Sequence, residues 1–212
     1  MLRLLLLAFA FRQVVAHNSL NVTANEFIVK LNNAVVNGGS NKIPIENLSV
    51  HMRKFIFPGT MNCYNGWAES LGSLKRVGDV KIIRYKKIRA YIIPVYLESL
   101  EFGYEHCDVK MIHFFNWKGN VRATVETNVI KAIVTMKKDE TACLATFDGI
   151  YVTKIGKINV TTGGKVPHGI LAKVAEQVRG QMDNDIIEKI NDKLQAIAPL
   201  AFSSSEFCSI EE

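Results

Sequence analysis

The sequence contains few of the patterns that identify an enzyme. Its five histidines, His17, His51, His106, His113 and His168, show neither HExxH nor another metal-ligand spacing. It has no GxSxG nucleophile motif and no glycine-rich phosphate loop. These absences argue against hydrolases, metalloenzymes and nucleotide-binding proteins. We therefore expect no catalytic residue, no metal and no cofactor.

The sequence also lacks an apolar run long enough to cross a membrane. The run from Leu4 to Phe11 is eight residues, whereas a spanning helix needs roughly 20. Arg3 precedes this run, and Val14 and Ala16 follow it, which is the pattern of a secretory signal peptide. We predict a signal peptide over residues 1–16 and one secreted, extracellular domain over residues 17–212.

The excess of positive charge is moderate. The net charge of +6 falls to +4 when Arg3 and Arg12 leave with the signal peptide. A mildly basic chain of this kind does not indicate nucleic-acid binding. No internal repeat, low-complexity segment or long linker divides the chain, so we expect a single domain that is a monomer or a weak dimer.

Cysteine is scarce, but its number is even. No CxxC pair occurs among Cys63, Cys107, Cys143 and Cys208, and in an oxidising compartment four cysteines predict two disulfides. In a meander that turns at Gly119 and Asp139, Cys107 and Cys143 would lie about 9.6 Å apart, beyond disulfide reach. This geometry favours Cys63 with Cys107 and Cys143 with Cys208. The pairing of Cys63 with Cys143 and of Cys107 with Cys208 stays open.

Three N-glycosylation sequons begin at Asn21, Asn47 and Asn159. They are acceptors only because the chain is predicted to be secreted. Chance sequons are common, so we expect about two of the three to be used.

Local patterns give the order short helix, run of strands, long helix. Thr23 and Glu26 match a capping box, after which Phe27, Leu31, Ala34 and Val35 share one face until the glycine pair at Gly38. From about Leu48 to Thr162, β-branched and aromatic residues dominate. Turn residues interrupt them at 58–59, 118–120 and 138–140. The pattern predicts a long antiparallel meander.

In one part of the meander the apolar residues pass from odd-numbered to even-numbered positions. Odd-numbered residues from Cys107 to Trp117 form an apolar face that only His113 interrupts. The next apolar set begins on odd positions at Val121 and passes to even positions from Ile130. Because such a change needs a bulge or a sharp twist, we predict bent strands and a sheet that rolls up.

Residues from Val166 to Ala198 predict a closing helix that Pro199 ends. Large apolar residues recur at every fourth position from Ile170 to Leu194, so the apolar face turns by about 40° at each step and roughly 240° in all. A rolled sheet could wrap such a face, whereas a flat partner could not cover it. The alternative is an ordinary α+β domain with two helices separated at Gly180.

Three segments carry a family resemblance. GTMNCYNGWAESLGSLKRVGDVKI (Gly59–Ile82), AYIIPVYLESLEFGYEHCDVKM (Ala90–Met111) and IAPLAF (Ile197–Phe202) resemble the mite group 7 allergen family, and the order of elements matches over essentially the whole mature chain. That family is similar in fold to the tubular lipid-binding superfamily, which includes bactericidal/permeability-increasing protein, lipopolysaccharide-binding protein and insect juvenile hormone-binding proteins. The four cysteines and the basic segment depart from the mite allergens and leave the identity of a ligand open.

The resemblance implies an α+β super-roll from an arthropod. In such a fold a strongly curved antiparallel sheet wraps a long C-terminal helix, with a short N-terminal helix and an elongated apolar cavity for a lipid. The apolar residues that could line a common chamber are Phe27, Leu31, Ile92, Met111, Phe115, Val174, Val178, Met182 and Ile186. His113 or Tyr85 could serve as a polar anchor. The alternative for each of these residues is plain core.

Seven cations lie within fifteen residues and are opposed only by Asp79. They are Lys75, Arg76, Lys81, Arg84, Lys86, Lys87 and Arg89. Clustered cations attract phosphate and sulfate in a salt-dependent way, so this segment predicts a surface for anionic head groups or glycans. The alternative is a solvated hairpin.

Two functions follow from these patterns. The first is a secreted, non-catalytic carrier or sensor of a lipid or other hydrophobic ligand. The alternative is a salivary or immune interaction factor with a closed core and a basic surface for a protein or glycan. His106 beside Cys107 does not indicate a nucleophile pair, because adjacent strand residues point to opposite faces and Cys107 is expected in a disulfide.

Overall fold

The computed structural model describes residues 2–52, 58–111, 115–139, 141–166, 168–181 and 185–210, except for the side chains of residues 2–18, 52, 168, 169 and 181. The elements are α1 (Leu2–Asn37), β1 (Lys42–Ile45), β2 (Leu48–Met52), β3 (Gly59–Glu69), β4 (Leu74–Arg76), β5 (Lys81–Tyr85), β6 (Ile88–Leu97), β7 (Leu100–Met111), β8 (Phe115–Val125), β9 (Asn128–Lys138), β10 (Cys143–Ile155), β11 (Ile158–Thr162), α2 (His168–Gln181), α3 (Ile187–Ala201) and α4 (Ser204–Cys208). In this part of the chain no helix is long and apolar enough to span a membrane.

The strands form two antiparallel sheets. Sheet A has the order β1-β3-β7-β8-β11, and β2 also pairs with β3. Sheet B has the order β10-β9-β6-β4, and β5 also pairs with β6. The α+β class is therefore confirmed. The single continuous meander is wrong, because β3 pairs with β7 and the consecutive strands β8 and β9 lie in different sheets.

The change of apolar phase has a different cause from the one predicted. β8 ends at Val125 and β9 begins at Asn128, so the change marks the crossing from sheet A to sheet B. Register shifts occur elsewhere, between Tyr104 and Cys107 in β7 and at two places in β10. An extra residue at each shift bends its strand, so bulged strands are present, but at positions that hydrophobic phase did not reveal.

Gly119 lies inside β8, so the turn predicted at 118–120 is wrong. A Cβ at Gly119 would lie 2.4 Å from the Trp117 ring and 2.6 Å from the carbonyl oxygen of Gly163. The indole Nε1 of Trp117 donates to that same carbonyl at 3.2 Å. Glycine is therefore needed here because the indole packs against the backbone. The turn predicted at Asp139 is confirmed, since its carboxylate accepts backbone N–H bonds from residues 141 and 142.

Helix α1 begins earlier than predicted. It runs from Leu2 through the expected signal segment, which is rich in helix-forming leucine and alanine, so Thr23 lies within the helix and the capping-box prediction is wrong. Phe27, Leu31 and Val35 are fully buried, as the periodicity predicted. The helix ends at Asn37, and Gly39 follows with a φ of 64° that suits glycine.

The single long C-terminal helix is not shown. The structure describes α2 and α3, and residues 182–184 between them lie outside the described part. Gly180 lies in the last turn of α2. Pro199 lies inside α3, so the prediction that it ends the helix is wrong. A proline this close to the end removes only one backbone bond, the one to the carbonyl of Gln195, and the last turn continues to Ala201.

The helices cover the sheets and share one core. α2 packs against β11 in sheet A, α3 and α4 pack against β10 in sheet B, and α1 packs against α3, α4 and β4. Buried apolar residues from both sheets and from the helices form one cluster. The prediction was one strongly curved sheet around one long C-terminal helix. The structure instead has two sheets, and its C-terminal part is described as the separate helices α2, α3 and α4.

Both favoured disulfides are confirmed. Cys63 and Cys107 join neighbouring strands β3 and β7 with a Cα–Cα distance of 4.0 Å, and Cys143 joins Cys208 at 5.8 Å. The geometric reason given for this pairing was wrong, because Gly119 is not a turn but lies opposite Cys107 in sheet A, whereas Cys143 lies in sheet B. The pairing itself places α4 on sheet B.

The C-terminal elements also provide hydrogen bonds to β10, the edge strand of sheet B. The side-chain oxygen of Asn191 accepts the backbone N–H of Val152 at 2.7 Å. The hydroxyl of Ser204 accepts the backbone N–H of Ala145 at 2.9 Å. Two polar groups on this strand are therefore satisfied by α3 and α4.

Candidate ligand-binding site

Phe27 belongs to a packed aromatic cluster. Its ring centroid lies 5.8 Å from that of Phe147, 6.2 Å from that of Phe202 and 6.3 Å from that of Phe207. The rings of Phe202 and Phe207 stack at 5.3 Å. Rings at these distances are in contact, so they fill the space between α1, β10 and α4. Phe27 and its buried neighbour Leu31 therefore lie in closed core.

A second group of the predicted residues lies beside sheet A. Val174 and Val178 are fully buried on α2, which packs against β11. β11 pairs with β8, whose first residue, Phe115, lies opposite Met111 in the β7–β8 pair. Met111 is buried and Phe115 is half-buried. The predicted chamber residues are thus divided between two regions of the core.

The three remaining residues of the predicted apolar chamber lie in different places. Ile186 is buried just before α3. Met182 lies outside the described residues. Ile92 lies on the outer face of sheet B, because the buried residues of β6 alternate with it, starting at Tyr91 and Ile93. Ile92 therefore does not line an interior chamber.

The two proposed polar anchors were His113 and Tyr85. His113 lies outside the described residues, and Tyr85 is 66% exposed at the β5–β6 turn. The sequence analysis missed Tyr104, which is only 1% exposed and whose buried hydroxyl has no hydrogen-bond partner among the described residues. The register shift after Tyr104 explains the omission, because it moves the inner face of β7 from even positions before the shift to odd positions after it.

The environment of Tyr104 keeps its hydroxyl protonated. Burial raises the pKa of Tyr104, and the carboxylates of Asp185 and Glu46 raise it further. Glu46 also forms an ion pair with Lys189 of α3, at 3.1 Å, which holds the β1–β2 connection against this helix. Tyr104 thus supplies a buried neutral hydroxyl that could donate to a polar group of a ligand.

A shallow depression lies on the outer side of α1. Its volume is about 300 Å³, and Val22, Asn25, Glu26, Val29 and Lys30 line it. It is open to solvent. This depression was not predicted, and it is separate from the residues expected to line a cavity.

The predicted basic surface is reduced by internal contacts. Lys75 forms an ion pair with Glu98, whose hydrogen bond raises the pKa of Lys75. Arg76 donates to Asn25 at 2.8 Å, to Asn21 at 3.1 Å and to the carbonyl of Gly78. Arg76 therefore attaches β4 to α1. These two residues are engaged in structural contacts and do not form a free anion site.

The exposed cations of the segment lie around the β5–β6 turn. Apart from the ion-paired Lys75, which is also exposed, they are Lys81, Arg84, Lys86 and Lys87. Exposed apolar side chains lie among them, with Ile83 at 55% and Ile88 at 41% exposure. Strand register continues this surface across sheet B, because Ile88 lies opposite Lys137, which lies opposite the exposed Leu144. We call this surface, from β5 to Leu144, the basic apolar face.

The described residues contain no group of three or more metal-ligand side chains. His106 lies beside Cys107, whose sulfur is in a disulfide. Cys107 therefore has no thiol that a nucleophilic mechanism could use.

Comparison with solved structures identifies a lipopolysaccharide binding protein with the same fold. The match has a TM-score of 0.61 and 15% sequence identity, and it covers 87% of this chain and 39% of that chain. A second match, to Takeout 1 of Epiphyas postvittana, has a TM-score of 0.35 and 14% identity, and covers 77% of this chain and 80% of that chain. No family model and no curated protein sequence matches the chain.

The chain therefore shares its fold with this lipopolysaccharide binding protein, a fold that the sequence resemblance implied. It spans less than half of the lipopolysaccharide binding protein. Membership of the mite group 7 allergen family stays a prediction.

Proposed function

We propose that this chain is a secreted, non-catalytic binding protein that carries or senses a hydrophobic or amphiphilic ligand. The observation that carries this proposal is the fold shared with a lipopolysaccharide binding protein over 87% of the chain. Two disulfides support an oxidising, extracellular location. The structure that shares the fold is named a binding protein, which fits a function without catalysis.

The ligand site is assigned to the side of the core beside sheet A. The aromatic cluster around Phe27 already fills the other side. Val174 and Val178 of α2 and Met111 of β7 are buried apolar side chains, and Phe115 of β8 is a half-buried one. Burying a ligand there would contribute about 25 cal/mol for each Å² of apolar surface removed from water. Met111 suits a ligand of irregular shape, because its side chain is flexible and polarisable.

A ligand extraction experiment tests the carrier function. The purified secreted protein is extracted with organic solvent for mass spectrometry, and displacement of a fluorescent fatty acid probe is measured on the same preparation. A co-purifying amphiphile with saturable probe binding supports the proposal. An empty extract with no probe binding contradicts it.

A matched pair of variants locates the site. Val178→Trp places a large ring between α2 and sheet A, so a carrier loses probe binding while it stays folded. In a closed core the same ring overpacks the interior and lowers stability. Val29→Trp on the exposed side of α1 is the control and should change neither property.

The basic apolar face favours a second candidate function, a surface-binding factor with a closed core. Its cations suit anionic head groups or sulfated glycans, and its exposed Ile83 and Ile88 suit a partially apolar partner. Lys86→Glu with Lys87→Glu should weaken binding to vesicles that contain phosphatidylserine or to a heparin column. The control is Lys165→Glu, an exposed cation outside this face. Equal binding by both variants would remove this candidate.

A further inference from the structure

The three sequons occupy different structural settings. Asn21 lies on α1, Asn47 lies in the short connection between β1 and β2, and Asn159 lies on β11. Asn47 and Asn159 are exposed, whereas Asn21 is half-buried. The sequence motif alone does not distinguish them, but their hydrogen bonds do.

The side-chain amide of Asn21 holds the segment after β4 against α1. Its Nδ2 donates to Asp79 at 2.9 Å. Its Oδ1 accepts from the guanidinium of Arg76 at 3.1 Å and from the backbone N–H of Val80 at 3.1 Å. Val80 is buried, so this attachment is part of the folded core.

The geometry of an N-linked sugar conflicts with this arrangement. In a trans amide, the carbon attached to nitrogen lies on the same side as the oxygen, as the next Cα does in a peptide. A sugar on Nδ2 of Asn21 would therefore lie beside Oδ1, where Arg76 and Val80 are already bonded. Either the sugar is absent or the segment from Arg76 to Val80 leaves α1.

The other two sequons have room on the outer side of sheet A. Asn47 precedes β2, and the side chain of its sequon residue Ser49 donates outward to Asn62 at 2.7 Å. Asn159 alternates with the buried Ile158, so it faces solvent. Its Nδ2 donates to Glu126 at 2.6 Å in an exposed contact, and an N-linked amide keeps one N–H that can still donate.

The geometry points to an assignment of modification sites: N-linked glycans are carried on the outer side of sheet A, by Asn47 and Asn159, and Asn21 remains unmodified as a tertiary anchor. This assignment rests on the proposed secretion of the chain. It also leaves the basic apolar face free of glycan, because no sequon falls within it.

Glycopeptide mass spectrometry of the full chain tests the assignment. The chain is expressed in a eukaryotic secretory line with its own leader and, in parallel, with a heterologous leader replacing residues 1–16. The second arm exposes the chain to glycosylation even if its own leader fails, so failure of secretion and failure of this assignment are distinguished. The expected result is a bare Asn21 peptide with glycan on the Asn47 peptide, the Asn159 peptide or both. Glycan on Asn21 overturns the assignment, and so does a secreted protein with no glycan at either sheet A site.

Paired variants separate the two roles of the Asn21 sequon. Thr23→Ala removes the sequon but keeps the Asn21 amide, whereas Asn21→Gln removes both. We expect neither to change the glycan mass of the protein, and we expect only Asn21→Gln to speed hydrogen exchange at the Val80 amide. Asn47→Gln and Asn159→Gln should each remove the glycan of their own site. A loss of glycan mass in Thr23→Ala would contradict the anchor role.

Discussion

Tyr104 lies directly opposite Gly66 in the β3–β7 pair, and its ring occupies the space that a side chain at Gly66 would need. A Cβ at Gly66 would lie 2.8 Å from Cε1 of Tyr104 and 2.5 Å from Cγ1 of Ile45. Both neighbours are buried, so neither can move into solvent. The glycine and the tyrosine are therefore packed as one unit on the inner face of sheet A.

Gly66→Ala should destabilise the protein. The added methyl group overpacks the contact between Ile45 and Tyr104, so we expect the free energy of unfolding to fall by about 1–3 kcal/mol. Urea denaturation followed by circular dichroism measures this change. Gly180→Ala is the control, because among the described residues the added Cβ meets no atom within 4 Å beyond its chain neighbours and its own helix backbone, and it should raise stability by about 0.5–1 kcal/mol. An equal effect of the two substitutions would contradict the packing described for Gly66.

Tyr104→Phe should leave stability unchanged or raise it. The hydroxyl that is removed is buried and has no partner in the described part of the chain, and such a group costs about 1–3 kcal/mol relative to a satisfied one. Tyr91→Phe is the matched comparison, because the Tyr91 hydroxyl lies 3.7 Å from the sulfur of Met136 and donates to it. We expect Tyr91→Phe to be the less stable variant in urea denaturation. The reverse order would show that the Tyr104 hydroxyl has a partner.

Alkaline pH should lower stability through Tyr104. Burial raises the pKa of Tyr104 above its ordinary value of 10.0, so the folded state holds this proton more tightly than the unfolded state does. The resulting stabilisation is complete below pH 10 and is lost as the pH rises through the raised folded pKa. Stability curves from pH 8 to pH 12 should therefore fall less steeply for Tyr104→Phe than for the wild-type protein. Parallel curves would contradict the proposed ionisation.

Asn191→Ala should loosen the contact between α3 and sheet B. The substitution removes the acceptor of the Val152 N–H, which is partly buried, so we expect a loss of about 1–3 kcal/mol. Asp192→Ala changes the exposed neighbouring residue and should have a much smaller effect. Hydrogen exchange at Val152 should accelerate only in Asn191→Ala, and unchanged protection there would contradict the assigned bond.

Removing the disulfide between Cys143 and Cys208 should have a local signature as well as a global one. Cys143→Ser with Cys208→Ser opens a loop of 65 residues, and we expect a loss of about 2–5 kcal/mol. The amide of Ala145 should then exchange faster, because its acceptor Ser204 lies at the start of α4. Cys63→Ser with Cys107→Ser opens a loop of 44 residues and should cost a similar amount without changing Ala145. Equal exchange at Ala145 in both variants would show that the bond does not hold α4 in place.

The sequence predicted the individual elements better than the way they pair. The buried face of α1 from Phe27 to Val35, the turn at Asp139 and both disulfides are found in the structure. The two sheets were not predicted. Between Val125 and Ile130 the apolar residues pass from odd to even positions, and this pattern arises equally from a bulge within one strand and from the end of one strand and the start of another. Only long-range pairing, such as that of β3 with β7, distinguishes these cases, and a local pattern does not contain it.

The candidate site was predicted in part. Val174, Val178 and Met111 are buried as expected, but Ile92 lies on the outer face because the inner face of β6 begins at Tyr91. Tyr104 was missed because one extra residue between it and Cys107 reverses the alternation. Gly119 was interpreted as a turn because glycine also serves where an aromatic ring, here that of Trp117, packs against the backbone.

The attachment of the C-terminal tail to β10 has a consequence for self-association. Asn191, Ser204 and the disulfide to Cys208 cover polar groups on a strand that forms the end of a sheet. A bare strand of this kind is a template for pairing with another chain and for growth into aggregates. Reduction of that disulfide, or proteolysis between α3 and α4, would uncover part of this template. We therefore expect the C-terminal tail to reduce aggregation as well as to form part of the core.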